Sequence, residues 1–203
     1  MAFTLPEGLA PEVYPLAWLV GRWSGEGVVG YPGIDEAPFT QVVEFTHDGG
    51  PYLAYTSTIR LVEVPDDAAA LVADGVTPDG PAHDDVPPGP VDGPGPVWAT
   101  ESGYWRVPPE RTEDLSDEQH PVEVLLSDPS GHVAVYLGAV GNGRIDLASD
   151  LIARTSTAAE VAAAKRLYGL VNGELMWTWD IAAFGEPLQS YTASRLTRAE
   201  ADA

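Results

Sequence analysis

Along Gly21-Arg22-Trp23-Ser24-Gly25-Glu26-Gly27, every second residue is a glycine or a tryptophan. In a β-strand such positions share one face, so Gly21, Trp23, Gly25 and Gly27 would set an indole beside a stretch of bare backbone. The arrangement suits either tight strand curvature or the approach of a flat group next to the indole, and both readings stand at this point. Metal and nucleophilic chemistry find little support. There is no cysteine among the 203 residues, which removes disulfides, thiolate nucleophiles and cysteine-ligated metals. The histidines are His47, His83, His120 and His132, with no H-x-H or H-E-x-x-H spacing, and each reads as a surface or turn residue. No G-x-S-x-G elbow, phosphate-binding loop or dinucleotide fingerprint occurs, so no catalytic or metal-ligating residue is assigned. Glu26, Glu44, Glu101 and Asp180 fall inside strand-like runs and are candidates for polar groups in a cavity. Trp23, Trp98, Trp105, Trp177 and Trp179 supply flat apolar surface for a cavity wall or a core.

These residues lie on short runs rich in Val, Thr, Tyr and Trp, separated by Gly, Pro, Asn and Asp, the texture of strands and turns. The runs are Arg22–Val29, Thr40–His47, Tyr52–Val62, Ala99–Val107, Val122–Ser127, His132–Leu137, Arg144–Ala148, Leu151–Ser156, Ala164–Val171, Glu174–Ala182 and Gln189–Leu196. Some merge, leaving about ten. Leu175, Trp177, Trp179 and Ile181 alternate with Met176, Thr178, Asp180 and Ala182, a period of two that gives one mainly apolar face. Asn172-Gly173, and Asn142-Gly143 like it, are two-residue hairpin turns because both residue types tolerate positive φ. Many strands at hairpin spacing avoid open edges most simply by closing into an up-and-down barrel, and barrels of this size often enclose a ligand. Glu12 to Val20 has apolar residues at helical spacing, but Pro15 limits it to a short helical turn, a plug or lid at a barrel end.

One domain spanning 1–203 is expected, interrupted at about 64–96 by an acidic, Pro- and Gly-rich loop; Glu110 to His120 resembles it on a smaller scale. The net charge of −21 argues against nucleic acid and anionic membrane surfaces as partners. The first residues lack the pattern of a signal peptide and no apolar run reaches membrane-spanning length, so a cytoplasmic address is expected. The oligomeric state stays open.

Several motifs in a fixed order resemble the nitrobindin family. Gly21 to Gly27 matches its G-x-W-x-G-x-G pattern, followed by Tyr31-Pro32 and Phe45-Thr46-His47-Asp48-Gly49. Pro51-Tyr52-Leu53-Ala54-Tyr55, Glu101-Ser102-Gly103-Tyr104-Trp105-Arg106, Ser149-Asp150-Leu151 and Pro187-Leu188-Gln189 continue the series over nearly the whole chain outside the two acidic loops. The resemblance implies a ten-stranded antiparallel barrel similar to fatty-acid-binding proteins, with haem in a wide cleft and a proximal histidine on the last strand.

Two departures bear on that cleft. The family pattern P-L-Q-P-H-L-x-A-x-L becomes Pro187-Leu188-Gln189-Ser190-Tyr191-Thr192-Ala193-Ser194-Arg195-Leu196, placing Tyr191 where the histidine belongs, and Gly33 stands where the family usually has threonine. Imidazole binds haem iron as a neutral ligand, whereas a phenol must ionise from an ordinary pKa of about 10. Arg195, four residues along, is expected on the same face as Tyr191 yet about 13 Å away. Lys165 or Arg166 are candidates to approach from a neighbouring strand. The expectation is a haem-free binding protein for a small hydrophobic or planar ligand, with no cofactor and with Gly33, Tyr104 and Tyr191 as candidate cleft residues. The alternative is a protein holding haem b through Tyr191 or another ligand, acting as a peroxynitrite isomerase or nitric-oxide binder.

Overall fold

The structure is a computed structural model that describes residues 5–62, 95–111 and 115–199. Nearly all of the acidic stretch expected as a loop at 64–96, and part of the second, lie outside the described residues. Among the described residues no helix is long and apolar enough to cross a membrane.

Ten strands follow one another: β1 Gly21–Tyr31, β2 Ile34–Thr46, β3 Leu53–Leu61, β4 Val97–Arg106, β5 His120–Ser127, β6 His132–Gly141, β7 Arg144–Arg154, β8 Val161–Val171, β9 Glu174–Ala183 and β10 Gln189–Arg198. Each pairs antiparallel with the next, and β10 returns to β1, so the sheet closes without a free edge. Both Asn-Gly turns are as expected: Asn142 and Asn172 have φ of 52° and 54° and their glycines 70° and 87°, the mirror-image turn that matches strand twist. Two runs predicted separately, Arg144–Ala148 and Leu151–Ser156, are one strand, β7. Strand β2 also starts earlier than predicted, at Ile34, because Pro38 does not interrupt it. Its carbonyl still accepts the Val62 N–H at 3.0 Å, so its missing N–H forfeits only one bond at the very end of the β2–β3 ladder.

The alternation of β9 is as read: Leu175, Trp177 and Ile181 are buried in the lumen and Trp179 is half-buried there. A 3₁₀ helix, Pro11–Leu19, closes one barrel end with Val13, Leu16, Ala17 and Leu19 buried. Trp23 is fully buried beneath it and donates its indole N–H to the Leu19 carbonyl at 2.7 Å. The Arg198 guanidinium lies 4.2 Å from the Trp23 ring and donates to the carbonyls of Trp18 and Val20, taking up acceptors that the helix end leaves over. This half of the lumen is solid. Phe45, Tyr55, Trp105 and Tyr168 meet edge-on or tilted, and Tyr168 stacks on Trp177.

Candidate functional site

At the end opposite the 3₁₀ helix the barrel holds a cavity of about 320 Å³. Its walls are Trp98, Tyr136, Trp179, Tyr191, Phe184 and several aliphatic side chains, and its rim comes from the β5–β6 turn, the β7–β8 loop and the β9–β10 turn. Between these rings the lining is alanines and smaller aliphatics, Ala99, Ala134, Ala183, Ile152 and Val161, which leaves the space. Apolar, aromatic walls with a few fixed polar groups are the usual make-up of a small-molecule site.

The polar floor is an ion pair. Arg166, 3% exposed, donates from both terminal nitrogens to the Glu101 carboxylate at 2.6 and 2.7 Å. Its guanidinium lies 4.2 Å from the Trp179 ring and 5.1 Å from the Tyr136 ring. Burial works against the Arg166 charge, yet Glu101 together with the neighbouring tyrosines keeps it well above its ordinary value. Of the four strand carboxylates considered from sequence, Glu101 faces the cavity; Glu26 is exposed on the outside and Asp180 lines a groove on the outer wall. Of the two basic candidates, Arg166 enters the lumen and Lys165 points out.

Tyr191 lines this cavity by way of a bulge. The β10–β9 register shifts between Ser190 and Thr192, leaving Tyr191 as the extra residue, which re-aims its side chain. Inward positions further along β10 are then Thr192, Ser194 and Leu196, so Arg195 lies on the outer face, where it pairs with Glu174 at 2.5 Å. The expectation that Tyr191 and Arg195 share a face is corrected by this one inserted residue. The Tyr191 oxygen accepts the Trp98 indole N–H at 2.9 Å, and its ring meets Trp179 edge-on at 5.2 Å and Tyr31 at 6.0 Å. Burial pushes the Tyr191 phenol above its ordinary value, partly offset by the Trp98 hydrogen bond, so it keeps its proton.

The other candidate residues lie elsewhere. Gly33 is in the turn between β1 and β2 with φ +84°, where a Cβ would meet nothing within 4 Å; only its neighbour Ile34 reaches the cavity. Pro32-Gly33 is the sequence of a turn that needs positive φ at its second central residue, which is why glycine stands there. Tyr104 is 53% exposed, because strand alternation sends Trp105 inward and Tyr104 out, against Tyr52 at 5.3 Å. Both are corrections to their expected place in the cleft. The glycine and tryptophan track serves curvature: a Cβ on Gly25 would stand 2.1 Å from the Arg195 carbonyl, and one on Gly27 2.4 Å from both the Ala193 carbonyl and the Phe39 ring. None of Gly21, Trp23, Gly25 and Gly27 lines the cavity.

His132, read as a turn residue, is part of the rim. Its Nδ1 faces Asp128 at 3.2 Å and its Nε2 faces the Ala159 carbonyl at 2.8 Å, fastening the β5–β6 turn to the β7–β8 loop. The i, i+4 spacing of Asp128 and His132 around Pro129-Ser130-Gly131 was the available signal, because a short hairpin turn brings those two positions together. Among the described residues no group of three or more metal-ligating side chains occurs.

A closed ten-stranded up-and-down barrel, solid at one end and hollow at the other, defines a class of small-ligand-binding β-barrels. The particular family is shown by comparison: the description "THAP4-like, heme-binding beta-barrel domain" matches residues 12–198, so the chain belongs to that family, the nitrobindins. The chain is 48% identical to a protein of Beutenbergia cavernae named "Ferric nitrobindin-like protein", covering 98% of this chain and 99% of the relative. It is 39% identical to a Parafrankia sp. protein named "Peroxynitrite isomerase", covering 94% of this chain and 81% of that protein. A solved structure, "Crystal Structure of Rv2717c from M. tuberculosis", superposes with a TM-score of 0.69 at 29% identity, covering 95% of this chain and 99% of that one.

Proposed function

We propose that this barrel binds a small hydrophobic or planar ligand in the cavity walled by Trp98, Trp179 and Tyr191, and that it does so without haem. The carrying observation is the state of Tyr191, which stands where the family pattern has its histidine: a phenol kept neutral by burial, its oxygen already engaged by Trp98. Iron would need that oxygen ionised. The nearby cation gives no help, because the Arg166 charge is matched by Glu101 in two short hydrogen bonds. His132 is equally unsuited, with both ring nitrogens turned to acceptors. The residues present therefore do not fit a haem iron. What remains is aromatic and aliphatic surface around a matched ion pair, which favours a flat apolar guest through burial and stacking.

The test is reconstitution of purified protein with hemin followed by desalting. The expected result is no stoichiometric Soret band. A band that survives desalting at one haem per chain, and that disappears in Tyr191→Phe, would overturn the haem-free reading. It would favour the second one, a haem protein with peroxynitrite isomerase activity, which the family description and the names of several relatives support.

A further inference from the structure

The hydrogen-bonding capacity left over in the cavity is lopsided. Both carboxylates on its lining are taken: Glu101 accepts from Arg166 twice and from the Tyr55 hydroxyl at 3.3 Å, and Asp128 accepts from the His132 ring and backbone N–H. The Tyr191 oxygen accepts from Trp98, and among the described residues no protein acceptor takes the Tyr191 proton. The Trp179 indole N–H and the Nε–H of Arg166 belong to the same lining, and both are buried without a partner. These last two are sealed from solvent in this packing; the hydroxyls of Thr100, Ser127 and Ser130 also line the cavity, and the Tyr191 hydroxyl is the donor set among the aromatic walls against which a flat guest would lie.

We propose that the cavity selects uncharged planar molecules carrying a hydrogen-bond acceptor such as a ketone oxygen, and that the Tyr191 hydroxyl is the group that recognises it. This inference rests on the ligand-binding reading above and adds the polarity of the guest. A neutral guest is favoured over an anion by a net charge of −21 and because the Arg166 cation is already matched by Glu101, so an anion would be desolvated without a partner. It is favoured over a cation because both lining carboxylates already have partners, so a further positive charge would be desolvated without a matching one. Orientation follows from the same geometry: with Trp98 fixing the hydroxyl oxygen, the proton is left to point away from Trp98, and the ring edge of Trp179 bounds the space where a flat body lies. A donor that is buried and otherwise unused rejects an acceptor-free analogue, whose binding would cover it with nothing to bond.

Three naphthalenes of nearly equal shape separate the outcomes, followed by quenching of tryptophan fluorescence: 2-acetylnaphthalene with a carbonyl, 2-ethylnaphthalene without one, and 2-naphthoate with a charge. The ketone should bind about three- to tenfold more tightly than the hydrocarbon, the usual worth of one neutral hydrogen bond. Tyr191→Phe should abolish that preference, weakening the ketone and tightening 2-ethylnaphthalene, which then no longer covers an unpaired hydroxyl. Infrared difference spectra of the wild-type complex give an independent readout, since a donated hydrogen bond lowers the carbonyl stretching frequency of the bound ketone. If ketone and hydrocarbon bind equally and the carbonyl band does not move, the acceptor rule is wrong while the ligand-binding reading survives. Tightest binding of 2-naphthoate would overturn the preference for neutral guests. Failure of all three to bind would bring down both the rule and the reading beneath it.

Discussion

Arg166 on β8 and Glu101 on β4 close a two-pronged ion pair across the lumen, although three strands separate them around the wall and 65 residues separate them in the chain. Only closure of the barrel brings them together, so the pair reports on the closed state. Removing one partner leaves the other charge buried and unmatched, whereas replacing both by apolar groups of similar volume is far milder.

Glu101→Gln is therefore expected to cost about 3 to 5 kcal/mol of folding stability, the usual penalty for breaking a buried pair. The double variant Glu101→Leu with Arg166→Met should recover most of the loss. Urea melts of the three proteins check this, and a double variant no better than Glu101→Gln would mean that the pair does more than neutralise itself.

Trp23→Ala should cost about 3 to 5 kcal/mol, the range for a large buried aromatic. The indole is fully buried, hydrogen-bonds Leu19 and lies under Arg198, so its loss undoes the seat of the 3₁₀ helix as well as a piece of core. An unchanged denaturation midpoint would remove Trp23 from that role. Gly25→Ala should cost about 1 to 3 kcal/mol for the opposite reason, overpacking, because its Cβ would meet the Arg195 carbonyl of the neighbouring strand.

The fold was legible because its signals are local. Alternation in Leu175 to Ala182 and the two Asn-Gly turns act over a few residues each, and the structure agrees with both; the helical segment runs further than expected, nine residues of 3₁₀ helix with Pro15 inside it. The site was less legible because it depends on register. Alternation alone puts Tyr191 and Arg195 on one face, and a single bulge residue separates them. The same limit hid the meeting of Arg166 with Glu101, which no count of residues along one strand reveals. Tyr104 was misplaced for a related reason: a motif names a strand's residues without saying which parity faces in, and burial of Trp105 settles it.

Alkaline pH should weaken the fold through the lumen tyrosines. Burial pushes Tyr168 up to about 12, and burial likewise raises Tyr55 and Tyr191 above their ordinary value of 10. A proton held more tightly in the folded state contributes stability that is fully present below the unfolded pKa, near pH 10, and is lost as pH rises through the folded value. Melting midpoints should accordingly be flat with respect to these groups below pH 10 and fall above it. The phenolate absorbance difference between wild type and Tyr191→Phe should rise with a midpoint above 10; a midpoint at or below 10 would show that Tyr191 is not desolvated.

The last prediction concerns Tyr191→His. If the loss of an imidazole at this position is what separates the chain from haem, restoring it should raise hemin affinity, because a neutral ligand replaces a phenol that burial keeps protonated. Trp98 bears on the size of the gain, since its indole N–H now donates to the Tyr191 oxygen and would compete for a ring nitrogen in the variant. Tyr191→His with Trp98→Phe should therefore bind hemin more tightly than Tyr191→His alone. Restoring the family's threonine at position 33 is not expected to help. Gly33 has φ +84° and faces no part of the cavity, so Gly33→Thr would place a β-branched residue in a left-handed turn at a cost of about 1 to 3 kcal/mol and gain no ligand contact. Hemin titrations of the single and double variants, each first shown to melt cooperatively, decide the matter. A double variant that folds and still forms no Soret band would mean that the barrier to haem lies in the cavity walls rather than in the residue at 191.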